Sequence, residues 1–372
     1  MKKTINWVTS DNFLDTNVQI VPKIAEKFNI RWFVIFTKTK NQKYSQYDIE
    51  NICSGKSIDL KFYYLPHRLR SLNSCCKFIK LINEVRGLDC DIIYGNVSQS
   101  CFYYHIIAML FLNKNKYICA IHDVVMHSNI VNGFWVSIVN KLIFKHFVNF
   151  QLFSRSQKEF ADLRNSKINT FYINLSLFDF GRPKISTNKN DKTTFLFFGQ
   201  IRRHKGLEYL IQAGNLLYKK APNKFIIKIA GQCDDWNFYE SKIVHKNAFD
   251  LRIGYIKSEE VPGLFGSADF LVLPYLDVTQ SGPLMIAFNY GVPVIASDLP
   301  GFRDYSEGVS NFFRPGDIDE LYNVLINAVN IDRENYLKIK QTIELNVKGN
   351  FTPDSVAKKY IKVFSEFTNG CS

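Results

Sequence analysis

Apolar positions along this chain group into two kinds of segment that alternate throughout. Short β-rich runs read as strands at residues 4–9, 31–36, 60–64, 91–94, 116–121, 149–153 and 169–173, and helical periodicity fills intervals such as 74–85 and 157–164. Strand and helix patterns in alternation predict βαβ units, with parallel sheets covered by helices on both faces. Residues 181–192, carrying Pro183, Ser186, Thr187, Asn188 and Asn190 among several lysines, lack periodicity and read as a linker. The alternation then restarts: strands at 194–198, 224–230, 250–253, 270–273 and 293–296, helices at 207–218, 259–265 and 284–290.

These patterns predict a first domain over 1–180, a linker over 181–192, a second domain over 193–350, and a terminal segment 351–372. A helix at 355–367, capped by Thr352 ahead of Pro353, is expected to pack back toward the first domain. The chain has 372 residues, more than one core usually holds, and two doubly wound α/β domains would leave a cleft between them.

Composition narrows the class. Hydrophobic residues make up 46% and charged residues 22%, which excludes disordered and fibrous proteins. The 32 Phe and 19 Tyr sit mostly inside apolar runs and read as core. A net charge of +13 suits nucleic acid, an anionic membrane or a phosphorylated substrate, or else a plain Lys-rich surface. Eight cysteines, at 53, 75, 76, 90, 101, 119, 233 and 371, show no Cys-x-x-Cys and no zinc spacing, so reduced thiols are expected, with no disulfide framework and no metal. Met1-Lys2-Lys3 leads straight into the first strand without a secretory pattern, which argues for the cytoplasm. The apolar stretch 101–112 is too short to span a membrane. Residues 134–150 interleave Trp135, Ile138, Leu142 and Ile143 with Lys141, Lys145 and His146, either as a basic amphipathic helix for an anionic bilayer or as an ordinary domain helix.

Two motifs carry chemistry. Phe198-Gly199-Gln200-Ile201-Arg202-Arg203-His204-Lys205-Gly206 stands where a strand gives way to a helix. There Gly199 would let backbone approach a ligand, and Arg202 and Lys205 would offer charge to a diphosphate; a basic turn capping a surface helix is the plain alternative. Pro274-Tyr275-Leu276-Asp277-Val278-Thr279-Gln280-Ser281-Gly282-Pro283-Leu284 again follows a strand and precedes a helix. Thr279, Gln280, Ser281 and Gly282 suit an anion site at a helix N-terminus, or a simple N-cap turn. Tyr275 either stacks on a base or packs. The conjunction matters most: cations and a helix N-terminus at one sheet edge are what a leaving diphosphate needs.

From Phe198 to Asp317 the sequence resembles the donor-binding domain of retaining GT-B glycosyltransferases of family 4 (glycosyl transferases group 1), the type that builds surface polysaccharides. The likeness runs through Lys205-Gly206, Ala230-Gly231, Gly254-Tyr255-Ile256, Ala268-Asp269, Leu273-Pro274, Gly291-Val292-Pro293-Val294-Ile295-Ala296-Ser297, Pro300-Gly301-Phe302 and Pro315-Gly316-Asp317. It continues more faintly at Ile121-His122-Asp123 with His127, and at Phe153-Ser154-Arg155-Ser156-Gln157.

The resemblance implies an acceptor-binding first domain and a second domain for the nucleotide sugar. Arg202 and Lys205 would then bind the donor diphosphate, Ser281 and Gly282 would add backbone donors, and His122 would face the donor sugar from the opposite domain. It also implies hexosyl transfer with retention, from a UDP- or GDP-sugar and without a bound metal or other cofactor. The acceptor would be a polyprenyl-diphosphate-linked saccharide of O-antigen, lipopolysaccharide or exopolysaccharide assembly. Such an acceptor would place the protein peripherally on the inner membrane face, with Arg68, Arg70, Lys77, Lys80, Lys141 and Lys145 as candidates for anionic lipid.

One feature departs from the family. Many members carry Glu-x7-Glu across the second loop, and counting back from Gly291 those positions hold Val278 and Ile286. Neither side chain forms hydrogen bonds, so the donor's sugar and ribose contacts must differ here. Three other classes remain open: a sugar-nucleotide epimerase, a catalytically inactive nucleotide-binding scaffold, and a basic nucleic-acid-binding protein. The dispersed lysines speak against the last.

Overall fold

A computed structural model describes residues 2–37, 43–65, 69–124, 133–165, 167–182 and 192–369. The chain divides into two units, Met1–Ser176 with Phe351–Ser372, and Leu177–Asn350.

The first unit runs β1 (Thr4–Ser10), α1 (Leu14–Ile24), β2 (Asn29–Phe36), α2 (Gln46–Cys53), β3 (Ile58–Tyr64), α3 (Leu72–Gly87), β4 (Ile92–Asn96), α4 (Phe102–Phe111), β5 (Tyr117–Ile121), α5 (Gly133–His146), β6 (Asn149–Leu152), α6 (Arg155–Arg164) and β7 (Asn169–Tyr172). All strand pairs are parallel, in the order β3-β2-β1-β4-β5-β6-β7. Every residue of β4, β5 and β6 is buried. That is why the strands read as unbroken apolar runs: helices cover both faces of a parallel sheet.

The second unit contains β8 (Thr193–Phe198), α7 (Leu207–Lys220), β9 (Phe225–Gly231), α8 (Trp236–Glu240), β10 (Phe249–Ile253), α9 (Val261–Gly266), β11 (Phe270–Leu273), α10 (Gly282–Asn289), β12 (Val294–Ser297), α11 (Pro300–Ser306), β13 (Ser310–Phe313), α12 (Ile318–Val329) and α13 (Arg333–Asn350). Its parallel sheet has the order β10-β9-β8-β11-β12-β13. The direction of winding reverses between β8 and β11, and in the first unit between β1 and β4. At such reversals the loops leaving neighbouring strands diverge and open a crevice at the carboxyl edge.

The final helix, α14 (Pro353–Asn369), belongs to the first unit. It packs on α1 and over the sheet through aromatic rings: Trp7 meets Tyr94 at 4.1 Å and Tyr360 at 5.5 Å between ring centroids, and Phe364 closes the cluster. The Tyr360 hydroxyl donates to Gln151 Oε1 at 3.2 Å. Burying each ring is worth about 2–3 kcal/mol, so the helix is part of the core.

Two sequence expectations shift. The helix expected over 134–150 stops at His146, because 149–152 are taken into β6, paired with β5 on one side and β7 on the other. Residues 177–180 fall in the second unit, where Tyr290 accepts from the Phe180 N–H at 3.2 Å and donates to the Gly181 carbonyl at 2.8 Å. Most of the expected linker, 183–191, lies outside the described residues.

Candidate active site

The two motifs of the second unit leave β8 and β11, neighbours across the winding reversal, and the fold therefore brings them together. Leu276 N–H donates to the His204 carbonyl at 2.7 Å, tying one loop to the other. Gly206 makes this approach possible. It sits at φ 60° and ψ 27°, and a Cβ there would lie 1.9 Å from the Pro274 carbonyl oxygen. Only glycine suits a left-handed residue with backbone so close.

Lys205 is the centre of the arrangement. Its ammonium lies 5.4 Å from the centroid of the Tyr275 ring, and the space beside Gly199 is bounded by Lys205 Nζ and Pro283. Burial, reinforced by the positive charge of Arg202, lowers the Lys205 pKa to about 8. Arg202 itself is exposed and makes no ion pair with a described residue. Arg203 is differently employed: it pairs with Asp235 at 2.9 Å and lies over the Phe238 ring. Among the described residues neither Arg202 nor Lys205, the pair named for diphosphate binding, is ion-paired with a carboxylate, whereas Arg203 is. Two cations held together and partly out of water form a site for an anion.

Ser281 caps α10, its hydroxyl accepting from Leu284 N–H at 3.3 Å. The N-terminal end of α10 therefore opens at the same sheet edge, adding partial positive charge from its first peptide groups. Gly282 is packed against Phe178, whose ring would be 3.1 Å from an added Cβ. Thr279 and Ser281 are buried and Gln280 is half-buried. Tyr275 is only 3% exposed, and its ring packs on Phe302 at 5.3 Å. It is walled in beneath Lys205, a place for supporting that side chain and not for stacking on a base. Val278 and Ile286 are both buried.

In the first unit His122 follows β5. Its ring is sandwiched between Phe13 at 3.9 Å and Phe153 at 4.0 Å, both stacked, and Nε2 is 3.0 Å from Asn96 Oδ1. An amide oxygen only accepts, so that contact places a proton on Nε2. Phe13 follows β1 and Asn96 ends β4, the pair of strands at the winding reversal of this sheet. Neither was singled out in the sequence: each comes to His122 through strand pairing, and nothing local marks them. His127 lies outside the described residues. Among the described residues no group of three or more His, Cys, Asp or Glu is arranged to hold a metal ion, and no helix is long and apolar enough to cross a membrane.

Two doubly wound Rossmann-like units, each with its crevice at a winding reversal, define the GT-B fold. Residues 192–330 match the family model described as Glycosyl transferases group 1. An uncharacterized glycosyltransferase of Methanocaldococcus jannaschii is 27% identical over 119 residues, which is 31% of this chain and 30% of that protein's length. Solved structures of the same fold include Anabaena HepE in complex with UDP-glucose (TM-score 0.73, 13% identity, 98% of this chain and 100% of that one). Sucrose-phosphate synthase from Thermosynechococcus elongatus is equally similar (TM-score 0.73, 14% identity, 99% and 100%). WaaG, a glycosyltransferase of lipopolysaccharide biosynthesis, has a TM-score of 0.66 at 12% identity over 97% and 99%.

Proposed function

We propose that the chain is a retaining glycosyltransferase that moves a hexose from a UDP- or GDP-sugar to a lipid-linked saccharide of surface polysaccharide assembly. The observation that carries this reading is the half-buried Lys205, whose ammonium is held beside Gly199 and the loop that opens α10. As the bond between the anomeric carbon and the diphosphate breaks, negative charge builds on the departing oxygens. Cations fixed in a poorly solvated site stabilise that charge without having to reorganise. Lys205 and Arg202 supply two charges, and the peptide N–H groups at the start of α10 supply more. HepE was solved with UDP-glucose, which makes a UDP-sugar the first donor to try. The nucleotide sugar enters as substrate, and the charge supplied by these groups makes a metal unnecessary in this proposal. His122, with its proton fixed on Nε2 by Asn96, is assigned to the reacting sugar.

The test is a thermal-shift panel of UDP, GDP, ADP and TDP in EDTA, on wild type and Arg202→Ala/Lys205→Ala. One nucleotide should raise the melting temperature selectively, and the double variant should lose that response. A response to none of the four would remove the donor-site reading. A second reading, a nucleotide-binding scaffold without turnover, is favoured by one fact: Val278 and Ile286 are apolar and buried where the family often has carboxylates. Release of free sugar from the bound donor separates the two.

A further inference from the structure

A cavity of about 1000 Å³ opens at the edge of the first sheet that the candidate active site does not use. Its walls include Lys116, Val148 and Ile168, which stand immediately before β5, β6 and β7, so it lies at the amino ends of these strands. His122 leaves the carboxyl end of the same β5, beyond the five residues of Tyr117–Ile121. At the rise of a β-strand that is about 17 Å away. The whole lining belongs to the first unit, with Phe367 contributed by α14.

The chemistry of the lining is specific. Five asparagines take part: Asn113, Asn115, Asn149, Asn165 and Asn169. Asn149 is buried and anchors the wall. Its amide donates to the carbonyls of Lys114 at 3.3 Å and Tyr117 at 3.4 Å, and its oxygen accepts from Asn169 Nδ2 at 3.1 Å. The others keep bonding capacity: Asn113 and Asn165 use only their oxygens, Asn169 only its amide, and the Asn115 carboxamide bonds to no described residue. Charge is balanced, with Lys116 and Lys158 against Asp162 and Glu366. Lys158 is paired with Asp162, and Lys116 donates to the Cys90 carbonyl at 2.8 Å. Beside the carboxamides, half-buried Phe171 and Phe367 meet edge to face at 6.3 Å between centroids.

We propose that this cavity binds a neutral saccharide chain. A sugar hydroxyl both donates and accepts, and the free amide donors and carbonyl acceptors of the asparagines match that mixture. The C–H face of a sugar ring is apolar and suits the two phenylalanines. An anion would meet carboxylates and cations already engaged, and an apolar ligand would strip water from unbonded carboxamides at a cost. A peptide added to β7, the edge strand, would draw on backbone groups, whereas the free groups here are side chains at strand ends. The volume admits more than one sugar ring. Set at the opposite edge from His122, the site holds a saccharide without presenting it for reaction, and so raises its concentration near the protein. The site is argued from its own lining and is independent of the donor reading.

The experiment applies the full chain to an array of immobilised neutral and anionic saccharides, at low and high salt, with a neutral serine–glutamine peptide alongside. The variants are Asn115→Ala, Phe367→Ala, Asn115→Trp to fill the cavity, and Asn330→Ala as an exposed control in the second unit. Wild type and the control should retain one or more neutral saccharides equally at both salt concentrations, and each cavity variant should bind roughly tenfold more weakly. Retention of no neutral saccharide would overturn the proposal, as would retention of anionic saccharides alone that high salt abolishes, or of the peptide in their place. Binding that UDP displaces, or that the cavity variants leave unchanged, would place the saccharide elsewhere and overturn it equally. The nucleotide-dependent melting shift of each variant is measured in parallel. It should match wild type, which reports folding and judges the donor site separately from the cavity.

Discussion

A lysine whose pKa has fallen to about 8 is penalised for being charged in the folded chain. The penalty is absent at pH well above the ordinary lysine value, grows as pH falls toward 8, and is complete below it. From 10.5 to about 8 this amounts to about 3 kcal/mol of lost stability near neutral pH. Lys205→Met should therefore raise the melting temperature by several degrees at pH 7 while strongly reducing the response to nucleotide. The same titration sets the pH dependence of binding. Nucleotide affinity of the wild type should weaken about tenfold from pH 7 to pH 9, and the residual affinity of Lys205→Met should lack that step; calorimetric titrations at the two pH values check both. His122 gives a different signature. If it acts on the reacting sugar, His122→Ala should lower kcat about a hundredfold and leave nucleotide affinity unchanged. A parallel loss of affinity would assign it to binding instead.

At the scale of elements, the site depends on two loops held in register by backbone. Gly206→Ala places a side chain on a left-handed residue and against the Pro274 carbonyl. Denaturant melts should show a loss of at least about 2 kcal/mol, and nucleotide binding should weaken with it. The terminal helix α14 behaves as core. Phe364→Ala removes a ring that is 1% exposed from contact with Trp7, Phe28 and Tyr94; unfolding of the first unit should be eased by about 3–5 kcal/mol. Such an element is visible in sequence as an amphipathic helix. Its partners are not, because Trp7 and Phe364 lie far apart along the chain and only the folded sheet brings them together. α4 is the converse case: its apolar run is plain in the sequence, yet which of those residues face outward is decided by how the helix sits on β4 and β5.

On the scale of the whole molecule, the sequence by itself determined the alternation of buried strands and helices, the presence of two α/β units, and the positions of both chemical loops. It could do so because a parallel strand covered on both faces must be apolar from end to end, and because loops that approach a ligand need glycine and charge at fixed places after a strand. The tertiary structure decided what those residues do to one another. Strand order made β8 and β11 neighbours, and so placed Lys205 over Tyr275. It set Asn96 against His122, separated Arg203 from Arg202 by giving only the former a carboxylate, and returned residues 351–372 to the first unit. These outcomes rest on contacts between segments distant in sequence, whose energies depend on burial and geometry that no local pattern encodes.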